Sequence, residues 1–174
     1  MKMRLKKHNM ISIQHNTDDN FTSIRAIAKE VWPIAYGKIL SHTQLDYMME
    51  MMYSISALQT QANQKNNHFI VAIDNEIPVG FAGYQLNYNE TTKTRIHKIY
   101  ILSNQQGKGI GRILIDYIIN EACQNNQEGL LLNVNKNNSA QHFYKKLGFT
   151  ISHEEVIDIG QGYVMDDFVM EISI

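Results

Sequence analysis

The chain holds one cysteine, Cys123, and two prolines, and it has no apolar run near the roughly 20 residues that a membrane-spanning helix requires. One cysteine excludes an internal disulfide. The seven histidines are scattered, so no Cys/His spacing of a metal centre is present and no metal is expected. Cys123 lies in a helical pattern, where a buried, inert thiol is expected. An excess of one charge is also missing. Sixteen Lys and Arg against 17 Asp and Glu give a formal net charge of −1, so no global field recruits nucleic acid or an anionic membrane surface. The basic start, residues 1–9, is followed by no apolar segment, which excludes a signal peptide and reads as a solvated tail. Repeats and low-complexity stretches are absent. With 44% apolar and 19% charged residues in 174, residues 10–174 suffice for one globular domain with a sizeable core. The expectation is a soluble protein of the cytoplasm.

What is present concentrates between Lys98 and Leu114. Ile99 and Ile101 alternate with Lys98, Tyr100 and Leu102, as in a strand. Gly107, Gly109 and Gly111 then strip side chains from a turn. Ile110, Ile113, Leu114, Tyr117 and Ile118 follow at helical spacing. A glycine approach to a helix N-terminus presents unsatisfied N–H groups to one point, a setting that suits phosphate. Two familiar nucleotide loops are disfavoured. Lys108 is followed by Gly109 rather than by the Ser or Thr of a Walker loop. Arg112 stands where a dinucleotide fingerprint needs its third glycine, and the next strand ends in Asn133 and Asn135, without a carboxylate.

Gln106, Gly109 and Gly111 match a Q/R-x-x-G-x-G/A loop, with Lys108 as filler. A second motif follows in order: Leu132-Asn133-Val134, Asn138, Ala140, Phe143-Tyr144 and Lys146-Leu147-Gly148-Phe149. On these two motifs, which cover about residues 94–150, the chain resembles the GNAT N-acetyltransferase superfamily, and more loosely its bacterial small-molecule and polyamine members. The resemblance implies an α/β fold with a mixed, mostly antiparallel sheet of about seven strands flanked by helices. The fourth and fifth strands of that fold splay apart to admit the pantetheine arm of acetyl-coenzyme A. It further implies that Gln106, Gly107, Lys108, Gly109, Ile110, Gly111 and Arg112 hold the pyrophosphate. Ile99, Tyr100 and Ile101 would meet the pantetheine amides, and Asn133, Asn138, Phe143, Tyr144 and Lys146 would complete the cofactor site. The Ile101 N–H would stabilise the thioester oxygen, and Tyr144 would protonate the departing thiolate, as a neutral phenol can.

The residues themselves leave alternatives open. Tyr144 lies on the apolar face of its own helix and by periodicity alone reads as core; the surrounding motif is what reverses that reading. Asn138, with Gln141, reads as a plain N-cap. No carboxylate occurs in Thr94–Lys98, so His97, which by alternation shares a face with Ile99 and Ile101, is the candidate base. It also reads as a structural sheet histidine, and Glu30 and Glu50 are alternatives. Arg95 and Lys98 read as solvated or paired charges.

Before the sheet, Met10–His15 reads as a strand, and Phe21, Ile24, Ile27, Ala28 and Val31 as a helix that Pro33 should end or kink at Trp32. Ser41 with Gln44, and then Ser54, start two more helices. The aromatic residues of this helical wall read by default as core, and alternatively as acceptor-binding residues, with Trp32 and Tyr36 as the candidates, followed by Tyr47 and Tyr53. Asp46, Glu50, Asp166 and Asp167 are the carboxylates that a polyamine would need. Strands are expected over 69–73, 78–88, 94–102, 130–134, 149–157 and 163–172. The last two form an apolar, aromatic hairpin suited to a homodimer edge. The implied activity is transfer of an acetyl group to a primary amine in a ternary complex, with a small amine or polyamine as acceptor. Acetylation of peptides, and acyl-coenzyme A binding without turnover, are the alternatives.

Overall fold

The computed structural model describes residues 11–15 and 18–174. Its elements are β1 (Ser12–His15), α1 (Asp18–Tyr36), α2 (His42–Tyr53), α3 (Ile55–Gln64), β2 (His68–Asp74), β3 (Ile77–Gln85), β4 (Lys93–Ile101), α4 (Ile110–Gln124), β5 (Gly129–Asn135), α5 (Ala140–Lys146), β6 (Thr150–Gly160) and β7 (Tyr163–Ser173). The basic tail expected over 1–9, and Met10, lie outside the described residues.

The seven strands form one sheet in the order β1-β2-β3-β4-β5-β7-β6. Every neighbouring pair is antiparallel except β4 and β5. That parallel pair needs a crossover, which α4 supplies. The mixed, mostly antiparallel α/β sheet expected from the sequence is the one observed. The β2–β3 hairpin turns on Asn75 and Glu76, both with positive φ, as a tight two-residue turn demands.

Each face of the sheet carries its own core. On one face Ile110, Leu114, Ile115 and Ile118 of α4 pack with Ile70, Ala82, Leu130 and Leu132. On the other, Ile24, Ala28, Val31 and Trp32 of α1 pack with Met48, Leu58, Phe69, Val71 and Phe81. The Ser41 and Ser54 caps form as expected, their hydroxyls accepting from Gln44 and Ala57 N–H groups at 3.2 and 3.3 Å.

Two local expectations are corrected. Helix α1 does not stop at Trp32 but runs on to Tyr36, with Pro33 in its last turn. Only one intrahelical bond is lost there, because proline removes a single N–H donor, and Gly37 N–H closes the turn on the Pro33 carbonyl at 3.0 Å. Cys123 is exposed, not buried. The buried stripe of α4 passes through Ile118 and Ala122 and leaves position 123 outside it.

Two irregularities of β4 shape everything that follows. Its register with β3 shifts between the pairs Tyr84↔Ile96 and Gly83↔Lys98, so His97 is an extra residue in a bulge. On its other side β4 pairs with β5 only from Lys93↔Gly129 to Ile96↔Leu132. Beyond Ile96 the two strands part. Among the described residues, no helix is long and apolar enough to cross a membrane.

Candidate functional site

The parted ends of β4 and β5 open a cavity of about 790 Å³. Its wall runs from the last turn of α1 across β4, the glycine loop and the start of α4, to the end of β5 and α5. Of the residues singled out from the sequence, Tyr36, His97, Ile99, Tyr100, Ile101, Gln106, Gly107, Gly109, Ile110, Gly111, Arg112, Asn133, Asn138, Phe143 and Tyr144 all line it. Three do not. Lys108 is exposed, its Nζ donating to Gln105 Oε1 at 2.7 Å. Lys146 is exposed on α5. Trp32 is 1% exposed in the helical core, against the rings of Tyr36, Tyr53 and Tyr100, so it supports the wall from behind and does not meet a ligand directly.

The glycines have two different jobs. Gly107 and Gly109 have φ of 76° and 83°, and a Cβ at either would meet nothing within 4 Å. They make the turn left-handed and leave a bare cradle before α4. The first N–H groups of α4 have no intrahelical acceptor, and the cradle suits an anion such as a diphosphate. Gly111 has a negative φ, and a Cβ there would press on Phe143 at 3.0 Å and Ile101 at 3.2 Å. Its role is close packing of α4 on α5 and β4. Gln106 pins the loop, its Nε2 donating to the Ile101 carbonyl at 3.2 Å. Arg112 pairs with Asp116 one turn along α4, with its Nε 2.9 and 3.0 Å from the two carboxylate oxygens.

The edge of β4 is set by strand alternation. Leu102 N–H donates to the Val79 carbonyl on β3 at 2.9 Å. Backbone groups point alternately left and right along a strand, so the N–H groups of Ile101 and Ile99 face the gap, where β5 no longer accepts them. The backbone of Tyr100 faces β3 and contributes no donor to the gap. What Tyr100 offers instead is its ring: its hydroxyl shares a 3.3 Å hydrogen bond with that of Tyr36. Tyr36 thus reaches from α1 across to β4. Asn138 also engages the Tyr36 hydroxyl. The N-cap of α5 is Ser139 and not Asn138; Asn138 instead holds the turn before the helix, its Oδ1 accepting from Ala140 N–H at 2.9 Å, and lines the cavity.

Tyr144 is buried, and its ring meets Phe143 and Phe149 edge-on. Burial raises its phenol well above the ordinary range, as it does that of Tyr100, and it raises that of Tyr36 against the help of hydrogen bonds. The cavity therefore presents neutral hydroxyls, able to donate hydrogen bonds.

His97 does not share a face with Ile99 and Ile101. Those two pack with Ile96 in the α4 core. The bulge turns His97 to Tyr88, ring to ring at 5.8 Å, and to Gln85, whose Oε1 lies 3.1 Å from Nε2. Burial, with the charges of Lys98, Arg95 and Lys65, pushes its pKa down to about 3. A neutral imidazole that weak is a poor receiver for a proton leaving an ammonium. Glu30 is exposed, and so is Glu50, which pairs with Arg25 at 3.5 Å.

Arg95 and Lys98 were not legible as site residues, and neither is a solvated charge. Arg95 donates to Tyr88 Oη and Asn133 Oδ1, each at 2.8 Å, and its guanidinium lies 4.7 Å from the Tyr88 ring centre. Asn133 donates in turn to Glu155 Oε2 at 2.7 Å. Lys98 is 7% exposed and also lines the cavity; burial and Lys65 push its pKa down to about 8. Asp167 is 3% exposed, and burial pushes its carboxyl up to about 6, against the help of an Asn133 hydrogen bond. Among the described residues, no three His, Cys, Asp or Glu side chains cluster so as to hold a metal ion.

This geometry agrees with comparisons to known proteins. Residues 39–165 match the family model described as an acetyltransferase (GNAT) domain. The chain is similar to the peptidyl-lysine N-acetyltransferase YjaB of Salmonella typhimurium, 32% identical over 97 residues, which are 55% of this chain and 59% of that protein. It is also similar to the [ribosomal protein bS18]-alanine N-acetyltransferase of Haemophilus influenzae, 33% identical over 91 residues, 52% of this chain and 57% of that one. The chain thus spans less than two thirds of the length of these curated relatives. Among solved structures, the PaiA N-acetyltransferase of Thermoplasma acidophilum, crystallised with coenzyme A, superposes with a TM-score of 0.80 at 22% identity, over 95% of this chain and 99% of that one. At that identity the likeness speaks for the fold. With the family match spanning most of the chain and the splayed sheet in place, this protein belongs to the GNAT acetyltransferase domain family.

Proposed function

We propose that this chain transfers the acetyl group of acetyl-coenzyme A to a primary amine by direct attack within a ternary complex. One observation carries the reading: the bare glycine cradle, the unpaired N–H groups of Ile99 and Ile101 and the phenol of Tyr144 all open on one cavity. In this reading the diphosphate of the cosubstrate lies on Gly107–Arg112, and its pantetheine amides complete the edge of β4 that β5 abandons. The Ile101 N–H faces the thioester oxygen, where charge develops as the amine attacks. A single such donor commonly contributes about 10²- to 10³-fold in rate. Tyr144 gives its proton to the thiolate. The proton of the acceptor leaves to water at the cavity mouth and not to His97, whose imidazole, with its pKa pushed down to about 3, is too weak a base to take it.

The acceptor class follows less directly. The two curated relatives carry names that specify lysine in peptides and an alanine of a ribosomal protein, and they favour a protein acceptor as the second reading. Titration calorimetry with acetyl-coenzyme A tests the first step. Heat that saturates at micromolar to submillimolar ligand is expected, and no heat at millimolar ligand overturns the proposal. Thiol release across small amines and peptides then ranks the acceptors.

A further inference from the structure

The acceptor side of the cavity holds a buried positive charge, Lys98, that has no ion pair among the described residues. Lys98 is nearly buried on the wall. Among the described residues its Nζ makes one hydrogen bond, 2.6 Å to the neutral Oε1 of Gln61, and no ion pair. Gln61 is fixed for that contact, because its Nε2 donates to the Met52 carbonyl at 2.9 Å. The Lys98 ammonium also lies 5.5 Å from the centre of the Tyr53 ring. Arg95, three positions earlier on β4, is hydrogen-bonded among the described residues only to the neutral Tyr88 and Asn133, and its Nε is buried with no partner among them. Lys65 adds a third charge near both Lys98 and His97. Glu155 is linked to Arg95 only through the Asn133 amide, and Asp167 acts on Arg95 through its charge.

A buried cation without an anion is costly to the fold. A ligand that supplies the anion relieves that cost and is held by it. The carboxylates that would suit a polyamine are elsewhere. Asp46 and Glu50 are exposed on α2, Asp166 is paired with Lys136 at 2.6 Å, and neither they nor Asp167 line the cavity. A polycation would bring further positive charge to Lys98.

We propose that the acceptor is a primary amine carrying a carboxylate within a few bonds of its nitrogen, as an α-amino acid does, and that Lys98 receives that carboxylate. Arg95 supports the same end of the site. The inference rests on the acetyl-transfer reading above. The amine nitrogen forms its bond to the acetyl carbon as the carbon–sulfur bond breaks; the thiolate takes a proton from Tyr144, which is restored from solvent, and the surplus amine proton passes to water. The products are an N-acetyl amino acid and free coenzyme A.

The test compares the L-amino acids with their C-terminal amides, which differ in that one charge, and includes spermidine and a lysine-bearing peptide. Thiol release is followed at saturating acetyl-coenzyme A, whose binding is measured separately by calorimetry. At least one acid should exceed its own amide by tenfold or more in kcat/KM. Lys98→Met should cut that acid-over-amide preference at least fivefold, through KM, and Lys98→Arg should restore part of it. The proposal is overturned if every amide matches its acid, if spermidine or the peptide is acetylated while no acid is, or if acetyl-coenzyme A binds and no acid is turned over. Absence of acetyl-coenzyme A binding would instead sink the acetyl-transfer reading itself. The acid–amide comparison on the unsubstituted protein needs no variant to fold.

Discussion

The two walls of the cavity are built from different parts of the same amino acids. The wall over the glycine loop and the edge of β4 is backbone: Gly107 and Gly109 offer no side chain, and Ile99 and Ile101 contribute N–H groups. The wall from α1 to Lys98 is side chain: the hydroxyls of Tyr36 and Tyr100, the Lys98 ammonium and the buried His97. A backbone wall takes a ligand every member of a family shares, because almost any sequence can make it once a few glycines are set. A side-chain wall can be repainted residue by residue, and it is where the acceptor is chosen.

The sharpest way to break this contrast is to put a side chain on the backbone wall. Gly109→Val should weaken acetyl-coenzyme A binding by about 10²-fold or more, because the Cβ occupies the open cradle and the residue resists φ of 83°. The conformational strain alone should cost the fold only about 1–2 kcal/mol. Calorimetry beside a thermal melt separates the two effects, and unchanged affinity in a folded variant would place the diphosphate elsewhere. Next in size is Tyr144→Phe, which removes one hydroxyl from the junction of the walls. Its kcat should fall by about 10²-fold with little change in acetyl-coenzyme A affinity. An unchanged kcat with the true acceptor would leave Tyr144 as core only.

The smallest effect sharpens the side-chain wall. His97→Gln should leave the pH–rate profile near neutrality without a lost limb, since His97 titrates at about pH 3. Its signature is in stability. The unfolded chain takes up a proton near pH 6.5, while the folded chain refuses it down to about pH 3. Over that window native His97 makes stability fall by up to about 1.4 kcal/mol for each unit the pH is lowered. His97→Gln should flatten the fall. Asp167 works oppositely: its folded carboxyl, at about 6, binds a proton before the unfolded one near 4, so lowering the pH from 6 to 4 favours the fold. Denaturant midpoints from pH 7 to pH 4 measure the difference, and parallel curves for variant and parent would refute the buried neutral histidine.

The amino-acid order by itself determined the elements and their sequence, the strand–loop–helix around Gly107 and Gly109, and the motif from Asn133 to Phe149. These features are local. Hydrophobic period, caps at Ser41 and Ser54, and glycines where φ is positive leave their mark within a few residues, and the chain keeps that mark wherever the segment ends up. Tertiary structure decided what crosses between segments. It set the bulge that turned His97 from the face of Ile99 and Ile101, because a register shift belongs to a pair of strands and not to one. It turned Gly111 from ligand approach to packing, since only the position of Phe143 makes that site tight. It also buried Lys98 beside Gln61, 37 positions away. Alternation along β4 says that a lysine has a face, but only the helix laid over that face says whether water reaches it.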